Sequence, residues 1–168
     1  MKTLLTTSVS GLALAGSLLA VAPSASASAS AVPECTNANL SATYQEGGAA
    51  TSHLYGRIVL RNTSQTTCSV RGYGGLSYVG GGDGHQVGAA ADRTGPAARR
   101  VVVAPGEKVR SRVVETSTGP YSEAQCSRQE VDGFRVYLPD ETRSQFIAHP
   151  TTGCAKTSVH LLTHTAYR

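Results

Sequence analysis

The chain has 168 residues, 15 Lys and Arg against 11 Asp and Glu, a formal net charge of +4, four cysteines and no tryptophan. So mild a basicity, carried mostly by arginines scattered singly, argues against a nucleic-acid binder, which concentrates Lys and Arg in one stripe with stacking aromatics between them. The length allows one hydrophobic core of ordinary domain size.

The first residues differ in composition from everything after them. Lys2 makes a short positive start, and Leu12 to Val21 is an apolar run of signal-peptide length, too short to span a bilayer. Ser24 to Ala31 then alternates Ser and Ala, so nearly every register offers small residues to a signal peptidase. A signal peptide over 1–29, cleaved near Ala27 or Ala29, and one secreted domain over 30–168 are expected. No transmembrane segment is expected after cleavage, and with no Cys directly after the apolar core, no lipid anchor.

Past the leader the hydrophobic residues recur with period two, so strands are the expected elements. Short strands are predicted at Asn39 to Tyr44 and at Leu54 to Arg61, the second ending in the turn-forming Asn62-Thr63-Ser64. Cys68 to Arg71 and Leu76 to Val79 follow, and Gly80 to Gly84 reads as a hairpin loop. Val101 to Val103 and Val109 to Val113 flank Ala104-Pro105-Gly106-Glu107 and are predicted as two strands joined by a tight turn. One helical turn is predicted at Tyr121 to Gln125. Phe134 to Leu138, Ser144 to Ile147 and Val159 to Thr163 complete an all-β chain of seven to nine short antiparallel strands, which suggests a β-sandwich.

Cys35, Cys68, Cys126 and Cys154 all follow the leader, and an even count in an exported chain points to disulfides. No two of them have the close spacing of a zinc ligand pair. Four cysteines allow three connectivities. We expect sequential pairing, which closes two compact local loops, each contributing roughly 3–4 kcal/mol.

Residues that carry chemistry form no recognisable motif. His160 and His164 have i, i+4 spacing, but on a strand they stand roughly 13 Å apart, too far to share one ion. They read as surface histidines, and His53, His85 and His149 have no carboxylate partner in sequence. Gly80 to His85 is one copy of a pattern that binds calcium only in arrays. No G-x-S-x-G occurs, and Asp140-Glu141 beside Pro139 reads as a turn. Tyr73 and Tyr78 read as half-buried or buried side chains at a sheet corner, and Asn62-Thr63-Ser64 is formally a glycosylation sequon. No catalytic, cofactor-binding or metal-binding residue is assigned, and an enzyme is not expected.

The order of features resembles the actinobacterial domain of unknown function 4232 family, found in exported proteins and lipoproteins. The resemblance rests on Cys35, Leu60-Arg61-Asn62-Thr63-Ser64, Cys68-Ser69-Val70-Arg71-Gly72-Tyr73, Asp83-Gly84, Val103-Ala104-Pro105-Gly106, Cys126, Phe134-Arg135-Val136-Tyr137-Leu138-Pro139 and Cys154. It implies an immunoglobulin-like sandwich and the sequential disulfides, and it brings no activity. Where the family often has Pro after the Gly-Tyr this chain has Gly74, which implies a looser turn. The expectation is therefore a secreted or cell wall-associated, non-catalytic binding module. Its partner would be a secreted or envelope protein, or an anionic wall polymer met through Arg110, Arg112 and Arg135 on a shared face. The alternatives are an inhibitor of secreted proteases, with Tyr121 or the Ala97 to Arg100 segment as bait, and an enzyme with an unfamiliar site built around His85 or His149.

Overall fold

The computed structural model describes residues 31–96 and 98–168. The expected signal peptide and its cleavage sites at Ala27 or Ala29 lie outside the described residues. The chain is all-β: β1 (Leu40–Ala50), β2 (His53–Asn62), β3 (Cys68–Val70), β4 (Gly75–Gly80), β5 (His85–Val87), β6 (Asp92–Thr94), β7 (Val101–Val103), β8 (Lys108–Thr116), α1 (Glu123–Cys126), β9 (Arg128–Tyr137), β10 (Ser144–Cys154) and β11 (Leu162–Thr165). One sheet has the order β1-β2-β8-β11-β6, a second β10-β9-β4-β5, and β3 pairs with β7 alone. Ile58, Leu60, Val113 and Leu162 of the first sheet and Leu76, Tyr78, Phe134 and Val136 of the second belong to one buried cluster. The result is a β-sandwich whose two inner faces form the core.

The alternation that predicted strands is what orients them. Along β8, Val109, Ser111, Val113 and Glu115 are buried, while Lys108, Arg110 and Arg112 between them are exposed. α1 forms because Ser122 caps it: its hydroxyl accepts from the Gln125 amide while the Gln125 side chain accepts from the Ser122 amide.

Both disulfides have the expected sequential pairing, Cys35–Cys68 and Cys126–Cys154, with Cα atoms 5.0 and 4.6 Å apart. The first ties the segment before β1 to β3, beside a parallel bridge between Glu34 and Ser69. The second ties the end of α1 to the end of β10.

Several expectations are corrected. The Pro105-Gly106 turn joins β7 to β8 as expected, but these strands do not pair with each other: β7 pairs with β3, and β8 with β2 and β11. Asn62 holds the chain at this corner: its side-chain amide donates to Val103 O at 2.9 Å, and its backbone bonds Gly106 and Glu107. At 1% exposure Asn62 is unavailable as a glycan acceptor. β5 and β6, three residues each, were not anticipated, and β6 runs parallel to β11. Val159 and Leu161 are buried but precede β11, which begins at Leu162. Gly74 has a φ of +70°, and a Cβ there would lie 2.3 Å from Tyr137 O, so the chain needs glycine at this position.

Candidate functional site

Two clusters stand out, one on each face of β8. The inner one is built on Glu115, which β8 turns into the core with a side chain 3% exposed. An ionised carboxylate here needs donors on both oxygens. Tyr44 of β1 donates to Oε1 at 2.6 Å; Tyr78 of β4 and His149 of β10 donate to Oε2 at 2.6 and 3.0 Å. Tyr78 and His149 belong to the opposite sheet, so Glu115 is a polar tie across the sandwich.

Phe134 of β9 lies between these donors, stacked on Tyr78 at 5.5 Å and on His149 at 4.6 Å. The edge of Tyr44 meets His149 at 4.8 Å. Tyr44 fits because Gly56 lies beneath it: a Cβ at Gly56 would stand 2.2 Å from the Tyr44 hydroxyl. The register of β10 against β9 shifts between Ala148 and Thr151, and His149 lies in that irregularity just before Pro150.

Burial alone would raise the Glu115 carboxyl, but hydrogen bonds from His149, Tyr44 and Tyr78 outweigh it and hold Glu115 below its ordinary range. Burial, with the Glu115 charge, pushes both phenols above their ordinary values. The carboxylate is thus ionised, enclosed and donated to on both oxygens. His149 has found an acid and two hydroxyls after all, correcting the expectation that it lacks a carboxylate partner. Yet both oxygens are occupied, and neither phenol is activated as a nucleophile.

Four residues earlier on β8, Ser111 donates to Thr165 O at 2.6 Å and lies 3.4 Å from His164 Nδ1. His164 is 3% exposed and not the surface histidine expected. Burial, aided by the positive charge of Arg93, lowers it to about 4, so it is neutral at physiological pH. His160 is exposed and paired with Asp92 at 3.0 Å. The two histidines share no site, and no group of three or more His, Cys, Asp or Glu among the described residues is placed to hold a metal ion. In the glycine loop, Asp83 accepts from the His85 amide and Asp132 from the Gly82 amide, so these carboxylates shape the turn.

The outer cluster is cationic. The register of β2 on β8 sets Arg57 opposite Arg112, Val59 opposite Arg110 and Arg61 opposite Lys108. All five cations are exposed, and none takes part in the ion pairs among the described residues, which join Arg100 to Glu34, Arg128 to Glu123, His149 to Glu115 and His160 to Asp92. β1 and β11, which flank this pair, add no acid on this face; farther out, the edge strand β6 sets Asp92 in register with Thr163, where it pairs with His160. Ser41, Thr43 and Gln45 of β1 pair with Arg61, Val59 and Arg57. Thr163 of β11 pairs with Val114 of β8, and Thr165 accepts from the Arg112 amide. Val59, at the centre of the strip, is 2% exposed.

At the Arg57–Arg112 end the face opens into a groove of about 350 Å³ lined by Tyr55, Arg57, Arg112, Thr94, Thr163 and Thr165. Arg135 does not share this face. It lies on β9 in the other sheet, bonded to Gln86 and set 5.9 Å from the ring of Tyr137. Tyr73 is half-buried and Tyr78 buried, as expected.

Sequence reasoning missed Glu115 because it ended the strand at Val113. Two more steps of the same alternation place Glu115 inward. Arg57 and Arg61 were read as polar-face residues, but their alignment with Lys108, Arg110 and Arg112 depends on which strands pair.

Among the described residues no helix is long and apolar enough to cross a membrane. No curated protein and no solved structure matches the chain. A family model does match, over residues 35–168 and so over both disulfides and all eleven strands. The chain belongs to the family described as domain of unknown function (DUF4232).

Proposed function

We propose that this protein is a secreted, non-catalytic binding module of the cell envelope, and that the outer face of β2 and β8 meets an anionic partner. The observation that carries this reading is the cationic strip. Like charges directly across strands are destabilising, and here Arg57 faces Arg112 and Arg61 faces Lys108 without an acid on the flanking strands. A partner that supplies negative charge relieves that repulsion on binding, and complementary charge also steers encounter. The sandwich, closed by two disulfides, offers a rigid support suited to an oxidising compartment.

The protease-inhibitor alternative is less well supported, because two of its bait residues are tied back. Arg100 bonds Ser69 and Glu34, and Tyr121 packs against the core. The test is retention of the oxidised chain on immobilised anionic envelope polymers at low and high salt. Retention that falls as salt screens the charges is expected; absence of retention even at low salt would refute the reading.

A further inference from the structure

The strip is not uniform along its length, and that difference narrows the chemistry of the partner. At the Arg61–Lys108 end, Lys108 and Arg110 border an open cleft of about 390 Å³ that also holds Val101, Val103 and Glu107 but no aromatic ring and no threonine. At the other end, Arg57 and Arg112 border the groove, which also holds an aromatic ring and threonine hydroxyls. Tyr55 is 43% exposed, an unusual position for an aromatic with no core role. Gly47 and Gly48, in the irregular part of β1, leave the groove's rim without side chains. Thr165 Oγ1 accepts from the Arg112 amide, which leaves its hydroxyl proton to donate outward.

A simple polyanion would need only the cations. A tyrosine face beside two guanidinium groups and hydroxyls suits a ring that is apolar on one side, hydroxylated at its edge and negatively charged. We propose, building on the binding role above, that the groove takes one anionic sugar unit of an acidic polysaccharide. Its carboxylate or phosphate would be gripped between Arg57 and Arg112, its ring would lie on Tyr55, and its hydroxyls would meet Thr163 and Thr165. The remaining cations, Arg110, Arg61 and Lys108, would follow the charges of neighbouring units along the strip. Arginine suits this task because its planar fork bonds either anion through two donors.

The experiment compares polymers of matched length and charge on the full oxidised chain. Oligogalacturonate and phosphorylated dextran carry their charge on sugar rings; oligoglutamate and polyphosphate carry the same two anions without rings. We expect both ring-bearing polymers, or one of them if the site selects carboxylate or phosphate, to bind at least about tenfold tighter than the ring-free polymer bearing the same anion, a factor typical of one good stacking contact. Tyr55→Ala should abolish that preference while leaving oligoglutamate affinity unchanged, and Tyr55→Phe should retain it. Thr163→Val, a second groove variant, should weaken only the ring-bearing polymers. Equal binding of all four polymers, or a preference that survives both Tyr55→Ala and Thr163→Val, would overturn the sugar assignment and leave the anionic-partner reading standing. If none of the four binds, both fail.

Discussion

The two faces of β8 treat charge in opposite ways. Inward, Glu115 is a single acid whose two oxygens take three donors, two of them from the opposite sheet. Outward, Lys108, Arg110 and Arg112 stand in register with two arginines of β2 and have no ion-pair partner among the described residues. A buried charge must be satisfied within the fold, because an unpaired one costs several kcal/mol. An exposed charge need not be, so like charges in register are a feature that folding alone does not require. The inner cluster therefore serves stability, and the outer one is open to the binding role proposed above.

The largest effect should come from removing the inner acid. Glu115→Ala strands Tyr78 as a buried donor and Tyr44 and His149 as half-buried ones, and should cost about 3–5 kcal/mol, read by chemical denaturation. Glu115→Gln keeps an acceptor and should cost less. If Glu115→Ala unfolds at the parent's midpoint, the cluster is not the tie described here.

Acid tests the same interior. His164 titrates near 4 in the fold against 6.5 for the free side chain. The unfolded chain therefore binds this proton first, and stability falls as pH drops from about 6.5 toward 4. The loss should total about 3 kcal/mol at 1.36 kcal/mol per pH unit. Glu115, held below its ordinary 4.5, adds stability that is present above 4.5 and lost as pH falls through its folded value. Denaturation midpoints measured from pH 7 to 4 should show the slope, and His164→Gln should flatten its upper part.

Gly56→Ala probes the room under Tyr44. A methyl group there displaces the phenol from Glu115, at about 1–3 kcal/mol by the usual cost of overpacking. Adding Tyr44→Phe, whose ring lacks the displaced hydroxyl, should reduce the penalty for the glycine change in a double-mutant cycle.

The smallest stability effect belongs to the outer face. Arg112→Gln should change stability by no more than a few tenths of a kcal/mol, in the stabilising direction, since it removes a like-charge contact with Arg57. The same substitution should weaken binding to anionic polymer.

What the sequence made legible follows from what each signal depends on. Period-two patterning depends on neighbours in the chain, so β2, β3, β4 and β7 lie close to where they were expected. The sequential disulfides were legible for a similar reason, since each closes a loop within one stretch of chain. β5 and β6 were not, because three residues carry no readable period and both are held by pairing with distant strands. The inner cluster draws Tyr44, Tyr78, Glu115 and His149 from four strands of two sheets, and no local pattern encodes such a meeting. Its one local trace was the alternation of β8, which continues past Val113 to Glu115. The cationic strip had local traces in Arg57, Arg61, Arg110 and Arg112, but grouping Arg110 and Arg112 with Arg135 chose the wrong strand. β9 belongs to the other sheet, and β2 is the neighbour that completes the face.

The most direct test of the division between the faces of β8 measures affinity and stability together on one variant. In the Arg57→Gln, Arg110→Gln, Arg112→Gln triple variant, anionic-polymer binding should fall by an order of magnitude or more at low salt. Its thermal midpoint should stay at or slightly above that of the parent. Undiminished binding, or a midpoint lowered as far as the Glu115→Ala change lowers it, would contradict the account.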